Sequence, residues 1–255
     1  MVHHQDGLEF LRSLETNSVQ LILTDPPYQI SRESGMQNAL ENEKGDKKFR
    51  IQTKFGEWDE NFGIGELEPF IQEMYRVLAP GGTLICFYDL WKLSFLANIL
   101  EVNRFKQLRF IEWIKTNPVP INSKLNYLTN SREVAITAVK RGKPTFHSRH
   151  DNGLYEFPIY QGLTKTLEDG TKIKERCHPT QKSVPLFEEL IRKHSNEGDL
   201  VVDPFVGSGT TYIAAKLAGR RFAGSEISET YYDSCLQRIE TFYPEWTIGR
   251  LESAV

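Results

Sequence analysis

Val201-Val-Asp-Pro-Phe-Val-Gly-Ser-Gly-Thr210 is the stretch that decides the fold. Leu200 to Asp203 is a short apolar run of strand length, and Thr210 to Leu217 has the residue types and spacing of a helix, with Gly219 placed to cap its C-terminus. Gly207 and Gly209 lie between them, where glycine permits dihedrals and close backbone approach denied to other residues. Working outward, Arg221 to Ile227 reads as the next strand and Glu229 to Glu240 as the next helix, while Val184 to His194 is helical upstream. A strand, a glycine turn, a helix and a second strand form the repeating unit of a parallel sheet.

The N-terminal part repeats this rhythm. Gly7 to Leu14 carries Leu8, Phe10, Leu11 and Leu14 at helical spacing. Ser18 to Thr24 is an apolar strand stopped by Asp25-Pro26-Pro27, and Glu66 to Leu78 is a helix closed by Pro80-Gly81-Gly82. Thr83 to Tyr88, Leu108 to Lys115 and Glu133 to Lys140 read as strands, with a helix over Trp91 to Leu100. The expected architecture is a single α/β domain over 1–255 with a doubly wound, mostly parallel sheet. Ser31 to Phe62 and Lys143 to Cys177 break the rhythm: both are expected to be irregular insertions that meet a large ligand.

Composition bounds the function. With 39% hydrophobic and 25% charged residues, the 255-residue chain has the profile of a soluble globular protein. No apolar run reaches membrane-spanning length, and the polar start Met-Val-His-His-Gln-Asp lacks the pattern of a secretory signal. Cys86, Cys177 and Cys235 form neither a metal pattern nor a disulfide framework, so a reduced, cytoplasmic setting without a metal is expected. The net charge is −3, but Arg104 to Arg149 contains ten Lys or Arg against two acids, giving +8 there and −11 elsewhere. That basic band is either a solvated surface or a dock for a phosphate backbone.

The glycine turn lies where open α/β sheets bind ligands, beyond the C-terminal end of a strand and before a helix N-terminus. Glu226, at the tip of the next strand, is placed to accept hydrogen bonds from ribose hydroxyls. Tyr212 occupies the third glycine position of a dinucleotide fingerprint, and no lysine follows the glycines as in a phosphate loop. The pattern points to a nucleoside ligand without a pyrophosphate, for which S-adenosyl-L-methionine is the natural candidate.

Thr24-Asp-Pro-Pro-Tyr28 lies at another strand end. The prolines fix their own φ and restrict the residue before them, so the turn is stiff and its acceptors are pre-aimed. An aromatic amine is a poor nucleophile, because its lone pair is delocalised into the ring. Two acceptors, Asp25 and a backbone carbonyl such as that of Pro26, favour a pyramidal nitrogen, and Tyr28 is suited to stack on a base. Such chemistry relies on positioning and electrostatics. A base in a duplex reaches such a pocket only if it is flipped out.

Taken in order, these segments resemble the β-group of amino-DNA methyltransferases, most closely the adenine-N6 enzymes of restriction-modification systems and phages. The resemblance rests on Gln5-Asp-Gly-Leu8, Thr24-Asp-Pro-Pro-Tyr28, Phe55-Gly-Glu-Trp-Asp59, Trp113-Ile-Lys-Thr-Asn-Pro-Val-Pro120, His178-Pro-Thr-Gln-Lys-Ser-Val-Pro185 and Asp203-Pro-Phe-Val-Gly-Ser-Gly-Thr210. It implies the Rossmann-like fold of S-adenosylmethionine-dependent methyltransferases, DNA as partner, and, for some members, a homodimer. It implies that Asp6 contacts the cofactor adenine and Lys182 the methionine carboxylate. Asp203, Phe205, Gly207, Ser208, Gly209 and Thr210 would line the cofactor site with Glu226 on the ribose. Asp25, Pro26, Pro27 and Tyr28 would serve the target base, with Asp25 also beside the transferred methyl.

Blander roles stand beside these. Asp6 has the position of a helix cap. His178 suits a structural hydrogen bond, Asn117-Pro118 a turn, and Phe146, Tyr155 and Tyr160 the packing of an insertion. Cytosine-N4 methylation is the nearest rival function, and family members acting on cytosine more often carry serine at the position of Asp25. Enzymes acting on protein glutamine or RNA resemble NPPY types with the glycine turn first, an order opposite to the one here.

Overall fold

The computed structural model describes residues 1–27, 64–118, 131–160, 162–175 and 181–246. Its elements in chain order are β1 (Val2–His4), α1 (Gly7–Ser13), β2 (Val19–Thr24), α2 (Ile64–Val77), β3 (Leu78–Tyr88), a 3-10 turn (Leu90–Lys92), α3 (Leu93–Val102), β4 (Lys106–Lys115) and β5 (Arg132–Val139). There follow β6 (Leu154–Phe157), β7 (Thr164–Thr166), β8 (Lys172–Lys174), α4 (Val184–His194), β9 (Leu200–Asp203), α5 (Thr210–Leu217), β10 (Arg221–Glu226) and α6 (Glu229–Phe242).

Among the described residues, eight strands form one sheet in the order β1-β10-β9-β2-β3-β5-β4-β6. All neighbouring pairs are parallel except those of β5, which runs antiparallel to β3 and β4. The side-chain alternation of strands splits the core into two layers. Leu21 and Leu23 of β2 face α4, α5 and α6, with Phe187, Leu190 and Ile213. Ile22 faces the other way, toward α1, α2 and α3, with Leu11, Ile71 and Leu96. Helix α2 buries Leu67, Phe70, Ile71, Met74 and Val77 on one stripe, the i, i+3, i+4 spacing of an amphipathic helix. Each such side chain contributes roughly 1.5–3 kcal/mol by leaving water.

The direction of winding locates the site. From β2 the chain passes through α2 to β3, away from β9; from β9 it passes through α5 to β10 on the other side. The strand order therefore reverses between β2 and β9, and a crevice opens beyond their C-terminal ends. Asp25 and Pro204 stand on its two lips.

Three expectations need correction. Pro80-Gly81-Gly82 does not close α2 as a turn. It lies inside β3, where the pairing with β2 shifts register between Val19 and Leu21. Gly81 absorbs this bulge at φ +82° and donates its N–H to the Lys140 carbonyl. Second, 143–177 is not irregular throughout. Leu154–Phe157 adds β6 to the sheet edge with Tyr155 buried opposite Trp113, and β7 and β8 form a separate hairpin. Packing is thus the role of Tyr155, and Tyr160 packs against the same core.

Third, the basic band is not one surface. Lys106 pairs in register with Val139 and Ile114 with Arg132, so Lys106, Lys140 and Arg141 lie at the sheet end opposite the crevice. Lys115 and Lys140 are tied internally, Lys115 to Glu133 at 2.7 Å and Lys140 to Asn17 at 2.7 Å. The segment 31–62 and Tyr28 lie outside the described residues, as do Cys177, His178 and Lys124.

Candidate active site

Beyond the C-terminal ends of β1, β2, β9 and β10 lies a cavity of about 320 Å³, at the lower end of the roughly 300–1,000 Å³ of small-molecule pockets. Asp6, Asp25, Pro26, Pro27, Lys182, Asp203, Phe205, Gly207, Ser208, Thr210 and Glu226 all line it. Of the described residues expected in the site, only Gly209 is not on its wall. Gly209 sits behind, at φ +81°, as the N-terminal cap of α5, and a Cβ there would lie 2.6 Å from Cys235 Sγ. Its role is to let the turn close against α6.

Gly207, at φ +53°, is different, since a Cβ there would meet no protein atom within 4 Å. Its N–H donates to Glu226 Oε2 at 2.9 Å, and the Ser228 N–H donates to Oε1 at 2.9 Å. Burial pushes the Glu226 carboxyl above its ordinary range, and these N–H groups pull it back. Asp6 caps α1 through Oδ1, which accepts from the N–H groups of Leu8 and Glu9 at 2.9 and 3.0 Å, and it also borders the cavity. The cap and the cavity wall are therefore the same residue.

Asp203 is a strut. Oδ1 accepts from the Thr24 hydroxyl at 2.7 Å and the Phe205 N–H at 3.0 Å, and Oδ2 accepts from the Thr211 hydroxyl at 2.6 Å. It thereby locks β9 to β2 and to α5. Burial raises its carboxyl pKa to about 6 from 3.8, against the pull of these donors. The native chain then holds this proton more tightly than the unfolded chain does. The stabilising share is present below 3.8 and is lost as pH rises through about 6. Compared with Asp203→Asn, the wild type is expected to lose on the order of 3 kcal/mol more across that window, read from urea midpoints.

At the other lip, Lys182 Nζ is shared by two carboxylates, Asp25 Oδ2 at 2.8 Å and Glu133 Oε2 at 2.6 Å. Glu133 Oε1 meets Lys115 Nζ at 2.7 Å. Burial pushes the Asp25 carboxyl above the ordinary range; Lys182 draws it down and Glu133 pushes it further up. Burial opposes the charge of Glu133 as well, but Lys182 and Lys115 outweigh it and hold that carboxyl below its usual range. Asp25 Oδ1 and Glu133 Oε2 are both buried without a hydrogen-bond partner among the described residues, but Glu133 Oε2 has the Lys182 charge against it as an ion pair, whereas Asp25 Oδ1 has no ion-pair partner there. A buried acceptor without a donor is costly unless a ligand or water supplies one.

The DNA methylase family model, covering N6 and N4 amino-methyltransferases, matches residues 19–237. The type II methyltransferase M2.DpnII of Streptococcus pneumoniae is 32% identical, over 93% of this chain and 88% of that protein. M2.LlaDCHI of Lactococcus lactis subsp. cremoris is also 32% identical, over 92% and 87%. The chain belongs to the DNA methylase family.

The methylase also resembles solved structures. A crystal structure of an M1.HpyAVI–SAM complex has a TM-score of 0.66 at 28% identity, covering 94% of this chain and 98% of that one. The PvuII cytosine-N4-specific DNA methyltransferase has a TM-score of 0.70 at 19% identity, covering 93% and 85%, a likeness of fold. The methylase is therefore an enzyme that uses S-adenosyl-L-methionine to methylate DNA.

The cavity suits that donor. Apolar walls from Phe70, Phe205 and Ile227 stand beside the acid Glu226, and the Gly207 backbone is open. Sequence reasoning missed Phe70, whose ring packs on Phe205 at a centroid distance of 4.8 Å, and also Ile227 and Tyr231. The position of Ile227, directly after the acid at a strand tip, was an available signal. Phe70 lies on a helix whose stripe pattern makes it indistinguishable from core. Glu133 was missed because its partner is 49 positions away.

Proposed function

We propose that this methylase transfers the methyl group to the N6 amino group of adenine in DNA, with the target base flipped out of the stack. The observation that carries this reading is Asp25 at the stiff end of β2: Oδ2 is held by Lys182, while Oδ1 is a buried acceptor with no described partner. In this reading Oδ1 and the Pro26 carbonyl accept the two amino hydrogens, and Pro27 keeps the turn rigid. The nitrogen lone pair is then localised and aimed at the electrophilic sulfonium methyl that S-adenosyl-L-methionine supplies when bound. The nitrogen would gain the methyl as the donor's carbon–sulfur bond breaks with its electron pair left on sulfur, and its surplus proton would pass by way of the Asp25 carboxylate to solvent. Tyr28 stacks on the base, as the family resemblance implies.

On the cofactor side, Glu226 takes the ribose hydroxyls, Asp6 the adenine edge, and Phe205 the adenine face. The 207–210 turn approaches the methionine half through backbone, and Lys182 reaches the carboxylate without leaving Asp25. Asp203 braces this wall from within it, and Gly209 acts from behind. Asp25, where relatives that act on cytosine more often carry serine, favours adenine over cytosine-N4.

The catalytic unit is read as one domain over 1–255, with 31–62 and part of 143–177 meeting DNA. Since 154–157 belongs to the sheet, the exposed β7–β8 hairpin, with Lys172 and Lys174, is the part of the second insertion that suits this role. We further read the enzyme as a cytoplasmic homodimer that works without a metal, and sedimentation measures its mass against the 29.4 kDa chain.

The test is transfer of labelled methyl from S-adenosyl-L-methionine to DNA, followed by nucleoside analysis. N6-methyladenine is the expected product. N4-methylcytosine would establish the rival reading, and no labelling of any DNA despite cofactor binding would overturn both.

A further inference from the structure

The corner beyond β2 holds four charges in alternating order: Lys115, Glu133, Lys182 and Asp25. The outer members come from the ends of β4 and β2, and Glu133 stands near the start of the antiparallel β5. Because β5 runs opposite to its neighbours, its N-terminal end, rather than its C-terminal end, reaches the active-site side of the sheet. All four side chains are mostly enclosed, at 13% exposure for Lys115, 24% for Glu133, 7% for Lys182 and 23% for Asp25.

Lys182 Nζ lies between Asp25 Oδ2 and Glu133 Oε2, 0.2 Å nearer to Glu133, and 5.7 Å from the centre of the Phe87 ring. An ammonium has three donors and no fixed fork, so its position is set by whichever acceptors surround it. With a single carboxylate as neighbour it can straddle both oxygens. With two, each takes a share, and here only one oxygen of Asp25 is engaged.

We propose that Glu133 is a positioning residue for methyl transfer: by sharing Lys182 with Asp25 it confines that ammonium to Oδ2 and leaves Oδ1 for the target amino group. This rests on the reading of Asp25 as the amino-group acceptor. Lys115 completes the device by satisfying Glu133 Oε1, so that Glu133 takes no more than its share of Lys182.

Removing Glu133 and removing Lys115 shift the balance in opposite senses. In Glu133→Gln, Asp25 is the carboxylate left to Lys182 among the described residues, so the ammonium closes on it and competes with the amino group. The charged groups facing Asp25 are Lys182, Glu133 on β5, Lys115 on β4 and Asp203 on β9; the Cys86 thiol on β3 also faces it and is held neutral by burial. Glu133 raises the Asp25 pKa and Lys115 lowers it. Glu133→Gln therefore moves ionisation of Asp25 to lower pH, and Lys115→Met moves it to higher pH.

The experiment is steady-state methylation by the full chain across the acid limb of the pH profile. Glu133→Gln should lower kcat about ten-fold or more, a larger effect than on KM for S-adenosyl-L-methionine, and shift the acid limb to lower pH. Lys115→Met should shift the limb up, and Glu133→Asp should restore part of kcat. Melting temperature and cofactor affinity identify a variant that fails to fold, in which case Lys115→Met and Glu133→Asp carry the test. Unmoved limbs in folded variants, or shifts in the same direction, would overturn the proposal. If Asp25→Ala is inactive while Glu133→Gln keeps the wild-type profile, the positioning role fails and the reading of Asp25 stands. If Asp25→Ala is fully active, that reading fails first.

Discussion

Asp25→Ala is expected to reduce methyl transfer to DNA by about 10³-fold or more, while S-adenosyl-L-methionine still binds. The magnitude follows from what is removed. Loss of one pre-aimed hydrogen-bonding group at a reacting centre costs roughly 10²–10³ in rate, and the carboxylate adds charge to that contact. Binding persists because most of the wall, including Glu226, Phe205 and the 207–210 turn, does not depend on Asp25. Lys182 keeps Glu133 as a partner at 2.6 Å, so the fold is not left with an isolated ammonium. Asp25→Asn is the informative companion. It keeps a carbonyl acceptor and loses the charge, and it should fall between the alanine variant and the wild type. Single-turnover labelling, with cofactor affinity measured by calorimetry, separates the two steps. Wild-type transfer by Asp25→Ala would refute the acceptor role.

Arg238→Met should be the most destabilising single change of those considered. Arg238 and Glu175 are 2% and 0% exposed. The guanidinium gives two hydrogen bonds to Glu175 Oε1, at 3.0 and 2.7 Å, and one to the Ser208 carbonyl at 2.8 Å. Glu175 also accepts from the hydroxyls of Tyr160 and Tyr243 and from the Leu163 N–H. One buried pair thus ties α6, the segment after β8 and the glycine turn. Breaking such a pair strands a buried charge and costs roughly 3–5 kcal/mol. For a chain of this size that lowers the melting temperature by roughly 6–20 °C. Cofactor affinity should fall too, since Ser208 loses its anchor. Combining Arg238→Met with Glu175→Gln should recover part of the loss, because the uncompensated carboxylate is then gone. A melting temperature unchanged in Arg238→Met would show that the pair contributes nothing.

Much of this was legible in the residues. Strand and helix periods placed β2, β9, α4, α5 and α6 within a few positions of where they lie, since those patterns depend on neighbours two to four residues apart. The turns at 25–27 and 203–210 were readable because proline and glycine declare backbone geometry locally. Their order along the chain carried the family resemblance, and with it the cofactor, the DNA substrate and most of the cavity wall. Local reading failed where partners are distant. Val2–His4 is too short to show a period, and becomes a strand only because β10 offers an unpaired edge. Leu154–Phe157 is similar against β4. The basic band looked continuous in sequence, yet β5 reverses direction and sends its two ends to opposite sides of the sheet. Nothing beside Lys182 in the chain announces the carboxylates it pairs with, which are 157 and 49 positions away. By itself, then, the sequence determined most of the elements, the two turns at the ends of β2 and β9, and the family. Only the tertiary structure decided which charges meet behind Asp25, because a charge buried by folding takes its partners from the topology of the sheet and not from the chain beside it.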